Sequence, residues 1–159
     1  MKPEQIQNEL PYAKPFLFVD KLEHVDENGA RGHYTFPESS FFYEGHFPEY
    51  KITPGVILTE CMAQIGVVAL GIYIYNLEFP GARIRMVDAA DIDVSIALAE
   101  THIDFKKPVF PNEKVTVIST KEYYRFNKLK CKVEMRKENG DLACRGFISG
   151  VIIPQSRRG

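Results

Sequence analysis

The chain has 159 residues, 45% of them hydrophobic and 26% charged, with a formal net charge of -1. That length suits one domain spanning residues 1–159 around a single core and leaves no room for a second. The near-neutral balance supplies no basic stripe to grip a nucleic-acid backbone, so nucleic acid is excluded as an expected partner.

In chain order, the opening stretch "MKPEQIQNELPYAKPF" lacks the continuous apolar run and small-residue cleavage site of an export signal. The three cysteines, Cys61, Cys131 and Cys144, form no CxxC pair, and an odd count suggests no disulfide framework, so reduced thiols in a cytoplasmic protein are expected. "FLFVDKLEHV" and "ARGHYTF" then flank the acidic, Gly-ending "DENG" and read as two antiparallel strands. Residues 55–75, "GVILTECMAQIGVVALGIYIY", are long enough to cross a bilayer. Yet Thr59, Glu60 and Gln64 fall in the first half and no second span follows, so a helix wrapped by its own protein is expected and no membrane span. Thr53 is placed to cap it and Pro54 to occupy its first turn. Its apolar residues run all the way round, which requires an enclosing surface.

"LEFPGARIRMVDAADIDVS" shows no clear period, and the conformation of residues 79–94 is left open. After it come "IALAETHIDF", "EKVTVISTKEYY", "KLKCKVEMRK" and "DLACRGFISGVII", strand-like runs that read as a meander. In "ENGD" a two-residue type I′ turn at Asn139 and Gly140 sets Cys144 opposite Met135 rather than Cys131. The strands form one curved antiparallel sheet around the helix, an α+β arrangement without βαβ alternation.

"FYEGHFPEYKITPGVILTE" holds the candidate chemistry. Glu60 lies about one and a half turns into the helix, where an ionised carboxylate needs a partner or a crevice, and a neutral one can donate a proton. His46 sits between Gly45, which permits tight turning, and Phe47-Pro48, which stiffens the exit. A neutral imidazole there can accept a proton. The backbone N–H groups at Gly55 and Val56, at the positive end of the helix dipole, can stabilise an oxyanion. A packed core histidine and a glutamate paired with a remote cation explain the same residue types.

"LPYAKPFLFVD", "FFYEGHFPEYKITPGVILTECMAQ" and "DFKKPVFPNE", in that order, resemble the signatures of the FabZ-type 3-hydroxyacyl-acyl-carrier-protein dehydratases. The resemblance implies the hotdog fold, a long central helix wrapped by a curved antiparallel β-sheet. It also implies a dimer whose active site takes its histidine from one subunit and its glutamate from the other. On this resemblance His46 and Glu60 are the catalytic pair, and Gly55 and Val56 lie where the thioester carbonyl is held. Gln64 matches the supporting glutamine of the motif, and Phe47 lies beside the histidine in the substrate-binding set.

The implied reaction removes water from a 3-hydroxyacyl chain to give a trans-2-enoyl chain, in fatty-acid or specialised polyene or aryl-polyene biosynthesis. The substrate is carried on the phosphopantetheine arm of acyl carrier protein. No metal or redox cofactor is expected, and no dense His/Cys cluster suggests one. The implied assembly is a homodimer, a trimer of dimers, or a heterodimer with another hotdog subunit. Lys106 and Lys107 match a basic pair that can meet the acidic carrier, and a solvated strand end explains them equally. Val67, Val68, Leu70 and Phe105 can line an acyl tunnel or simply form core. His24, His33 and His102 are expected to be structural or exposed.

Where the family reads "GHFPGNPVMPG" this chain has "GHFPEYKITPG", and Tyr12 stands where the family has a histidine. Two other readings stand beside the dehydratase: a hotdog thioesterase, and a non-catalytic acyl-carrier-binding subunit of a synthase complex.

Overall fold

The structure, a computed structural model, describes residues 1–81 and 94–154. Among these residues the sheet has six antiparallel strands in the order β1-β2-β4-β5-β6-β3. They are β1 (Lys21–Asp26), β2 (Gly29–Thr35), β3 (Val94–Phe105), β4 (Lys114–Arg125), β5 (Lys128–Lys137) and β6 (Leu142–Pro154). Residues 82–93, which hold most of the stretch left open above, lie outside the described residues.

Strand formation follows the period-two pattern. In β5, Leu129, Cys131, Val133 and Met135 are buried, while Lys130, Lys132 and Glu134 point outward. One face therefore packs on the helix and the other meets water, as antiparallel sheets allow. The strands β4, β5 and β6 form the expected meander. β3 does not join it in sequence order, because it pairs with β6 at the far edge and leaves β4 beside β2.

The wrapped helix runs unbroken through 24 residues, Gly55–Glu78, and is 78% buried over its most apolar window. It is a core helix: Ile65, Ala69, Leu70 and Ile72 are fully buried, as are Cys61 and Met62. It consists of α2 (Gly55–Ala63), one π turn at Gln64–Val68, and α3 (Ala69–Glu78). Gly66 lets the π turn lie close to the sheet. A Cβ there would stand 3.0 Å from the Ser119 Cβ and 3.3 Å from a Val133 methyl. A short helix that the sequence reading did not anticipate, α1 (Pro3–Asn8), precedes β1 and buries Ile6.

Three local expectations are corrected. Thr53 does not cap α2, because its hydroxyl bonds the buried Tyr43 hydroxyl, and Pro54 occupies the cap position instead. The first strand does not begin near Phe16 but at Lys21, since the backbone of Phe16 and Phe18 is committed to the Gln64 side chain. The β5–β6 connection is not a two-residue type I′ turn. Gly140 alone takes positive φ (+89°), its N–H bonds the Lys137 carbonyl, and Lys137 N–H bonds the Asp141 carbonyl. That is a three-residue loop ending in a left-handed glycine. The ladder shifts by one residue between Met135 and Arg136, which cancels the longer loop, so Cys144 still faces Met135 and Cys131 faces Ile148.

Candidate active site

Two clusters carry the polar side chains singled out in the sequence. The first is built on the loop from His46 to Ile52. The His46 Nδ1 lies 2.9 Å from the Ile52 carbonyl oxygen, and Ile52 N–H returns a bond to the His46 carbonyl at 3.1 Å. A carbonyl can only accept, so Nδ1 carries the hydrogen and Nε2 keeps a free lone pair when the ring is neutral. Within this ring, Phe47 and Tyr50 exchange N–H···O bonds at 2.9 and 3.1 Å, and the Phe47 ring stacks on the imidazole at 4.2 Å.

The histidine is thus held rigidly, though not by the device expected. Gly45 does not use its left-handed freedom, and nothing lies within 4 Å of where its Cβ would be. The residues that depart from the family pattern brace the loop from outside. Tyr50 meets Phe110 edge to face, and Lys51 pairs with Glu38 at 3.3 Å.

The second cluster is on the helix. Glu60, half-buried, accepts a hydrogen bond from Gln64 Nε2 at 2.9 Å through its Oε1. Gln64 is fully buried, and the same Nε2 donates to the Phe16 carbonyl at 2.9 Å while its Oε1 accepts from Phe18 N–H at 2.8 Å. Both amide hydrogens and the amide oxygen are used, so the orientation of the side chain is dictated by its backbone partners. The N-terminal segment, Gln64 and Glu60 therefore form one chain of hydrogen bonds that leaves the second carboxylate oxygen of Glu60 outside it. Tyr12 is raised well above the ordinary phenol range, first by burial and then by the negative charge of Glu60, so its hydroxyl stays protonated beside the carboxylate.

Between the clusters begins α2. Ile57 and Leu58 are its first N–H groups to reach a helix carbonyl, both at Pro54. The N–H groups of Gly55 and Val56 precede that ladder and point out of the helix start. Gly55 packs closely there: a Cβ would stand 3.0 Å from the half-exposed Phe105 ring, which lies over this end and would have to shift. Val67, Val68 and Leu70 are buried core, whereas Phe105 is 53% exposed, so of the four candidate tunnel residues only Phe105 borders the helix start. Lys107 is tied to Asp141 at 2.8 Å, while Lys106 is exposed.

Among the described residues no hydrogen bond or ion pair joins His46 to Glu60. The single chain presents them as two separate clusters, and the apolar groups near them stay open: Phe47, Tyr50, Val56 and Phe105 are 50, 58, 76 and 53% exposed.

The contributions of Ile52, Phe16, Phe18, Tyr43 and Thr53 were not read from the sequence. The backbone atoms of the first three orient the site, and no residue type advertises a carbonyl that will be used. A visible signal was the density of aromatics in "KPFLFVD" and "FFYEG". Phe18, Tyr34, Phe36, Phe42 and Tyr43 form a run of edge-to-face contacts from 4.6 to 6.5 Å that ties the N-terminal segment to the histidine loop.

Comparison with known proteins places this geometry in context. Residues 10–143 match the model of the FabA-like domain family. The chain is 32% identical over 156 residues to a protein named 3-hydroxyacyl-[acyl-carrier-protein] dehydratase FabZ from Clostridium perfringens, covering 96% of this chain and 99% of that one. It is 34% identical over 113 residues to the FabZ dehydratase of Bacillus subtilis, covering 70% of each. Among solved structures, the dehydratase heterocomplex ApeI:P of Xenorhabdus doucetiae superposes with a TM-score of 0.71 at 13% identity, covering 98% of this chain and 93% of that one. A mutant thioesterase from Pseudomonas aeruginosa gives 0.63 at 11%, covering 98% and 96%. At such identities these two structures speak for the hotdog fold alone.

Proposed function

The chain belongs to the FabA-like domain family, and from that premise we propose that His46 and Glu60 are the acid-base pair of a 3-hydroxyacyl-acyl-carrier-protein dehydratase. The enzyme removes water from the 3-hydroxyacyl thioester and releases the trans-2-enoyl thioester. The observation that carries the assignment of roles is the Ile52 carbonyl on His46 Nδ1, which keeps the hydrogen on that nitrogen and leaves Nε2 a free lone pair to act as base.

The thioester carbonyl is received by the free N–H groups at Gly55 and Val56. Fixed dipoles there meet the negative charge that develops on oxygen as the C2 proton departs. His46 Nε2 takes that proton. The electron pair left at C2 forms the new double bond, the C3–O bond breaks, and Glu60, which enters this step protonated or relays a proton through water, protonates the leaving hydroxyl so that it departs as water; the proton taken by His46 restores the starting state. Gln64 holds Glu60 by one oxygen and leaves the other for this transfer. Every step runs through these side chains and the substrate's own thioester, so we propose that no metal or redox cofactor takes part.

A second copy of the chain completes the site in this proposal. Three features support it: no hydrogen bond or ion pair joins His46 to Glu60 within one chain, exposed apolar side chains lie next to both, and among the described residues β3 stands at the sheet edge with one side of its backbone unpaired. The acyl chain arrives on acyl carrier protein, and exposed Lys106 is suited to meet that acidic partner.

The test is incubation with 3-hydroxyacyl-acyl-carrier-protein and measurement of water loss by intact mass, with His46→Ala and Glu60→Gln in parallel. The native protein is expected to form the enoyl product, and each variant is expected to lose at least about 100-fold in rate. Release of free acid would mark a thioesterase instead. Carrier-protein binding with every chain left intact would mark a non-catalytic subunit.

A further inference from the structure

One hydroxyl on the water side of the sheet has no partner. Ser149 lies on β6 next to Ile148, which pairs with Cys131 and is buried in the core. Alternation therefore turns Ser149, together with Phe147, to the face away from the helix. Yet Ser149 is only 1% exposed, and its Oγ has no hydrogen-bond partner among the described residues. A buried hydroxyl without an acceptor is destabilising, so its presence on an interior strand points to a group that satisfies it.

The hydroxyl is the floor of a cavity of about 230 Å³ walled by Glu100, His102, Lys130 and Phe147. Strand register assembles this set: Glu100 on β3 and Lys130 on β5 stand directly either side of Ser149, and His102 stands beside Phe147 in the neighbouring row. Lys128 donates to one oxygen of Glu100 at 3.4 Å, which balances its charge and leaves Oε1 without a partner among the described residues. Lys130 does not compete for that carboxylate. Its ammonium lies 5.4 Å from the centre of the Phe147 ring, and among the described residues neither it nor the His102 ring has a carboxylate partner. Lys132, opposite Phe147, adds a further cation, while Asp104 and Glu134 stand in the row beyond, on either side of Arg145. With Glu100 balanced, the cavity has a surplus of donors and of positive charge.

We propose that this cavity binds inorganic phosphate. Its walls offer three donors, the Ser149 hydroxyl, the Lys130 ammonium and a His102 ring N–H, and one acceptor, Glu100 Oε1. A carboxylate or sulfate ligand has no hydrogen for that acceptor and would meet it charge to charge. Inorganic phosphate keeps a hydrogen at neutral pH and donates it to Glu100, while its other oxygens accept from the three donors. A phosphate monoester has mostly lost its second proton, whose pKa is about 6, and so lacks that donor. The volume also lies below the roughly 300 Å³ at which pockets for larger ligands begin. Because Ser149 and Lys130 face away from the helix that carries Glu60, the site stands apart from the proposed reaction and its test needs no substrate.

Isothermal titration of the protein in a chloride buffer is expected to show one phosphate bound per chain in the millimolar range or tighter. Sulfate at matched ionic strength is expected to bind about tenfold more weakly, the worth of one hydrogen bond to a charged group. Ser149→Ala removes the orphaned hydroxyl, so it should melt no lower than the native protein, yet it and Lys130→Met are each expected to weaken phosphate binding by about tenfold. Glu100→Gln is expected to lose the preference for phosphate over sulfate. No saturable phosphate binding, sulfate bound as tightly as phosphate by the native protein, or Ser149→Ala binding as tightly as the native protein would each overturn the proposal. Glycerol phosphate bound more tightly than phosphate would overturn it in favour of an ester.

Discussion

Gln64 carries more of the site than its place in a helix suggests. It is a fully buried polar side chain with three hydrogen bonds, and it links the carboxylate to the backbone of a segment 46 residues earlier in the chain. Gln64→Ala leaves the Phe18 N–H without an acceptor and the Phe16 carbonyl without a donor, and it frees Glu60 to swing. Unsatisfied buried groups of this kind predict a loss of about 2 to 3 kcal/mol in urea unfolding. They also predict a fall in dehydration rate that exceeds the unfolded fraction, measured well below the midpoint. An unchanged midpoint would mean the amide is dispensable. His46 and Glu60 were singled out in the sequence because motif spacing and side-chain chemistry point to them. The groups that aim them were not, because a backbone carbonyl such as that of Ile52 is selected by tertiary approach rather than by residue type.

Alternation made the strands legible, and a run that is apolar all round identified the core helix. A two-residue period tells which face of a strand is buried but not which strand lies beside it, so the crossing of β3 to the far edge did not follow from it. Turn chemistry was read correctly in residue type at Asn139-Gly140 but not in length, and a compensating shift in the ladder kept the register.

The helix and sheet together seal the three thiols: Cys61, Cys131 and Cys144 are completely buried. Burial pushes Cys131 and Cys144 up to about 12 and Cys61 well above its ordinary 9.0. The thiolate, which is the reactive form, is therefore absent at neutral pH. The folded protein is expected to resist iodoacetamide and the urea-unfolded chain to take three labels by mass. The sign of the linkage is also set. The unfolded chain releases the Cys131 and Cys144 protons near 9 and the folded one near 12, so stability is intact below pH 9 and drains as pH rises across that window.

The whole molecule is a hotdog fold, with its helix enclosed by a curved sheet, and that architecture sets His46 and Glu60 on different elements. In one chain the loop holds His46, the helix holds Glu60, and no hydrogen bond or ion pair joins them. In the proposed site a second copy completes the constellation, and each subunit lends one residue to each of two sites. This arrangement is proposed from the resemblance, because spacing within one chain contains no information about its neighbour.

It makes subunit complementation the most direct test. His46→Ala and Glu60→Gln, each inactive alone, are unfolded together and refolded as a mixture. Random pairing makes half of the dimers mixed, and each mixed dimer holds one site with both native residues. The mixture is then predicted to recover about one quarter of the native dehydration rate. A mixture as inactive as its components, although mass spectrometry shows the mixed dimer has formed, would contradict a site shared between two chains.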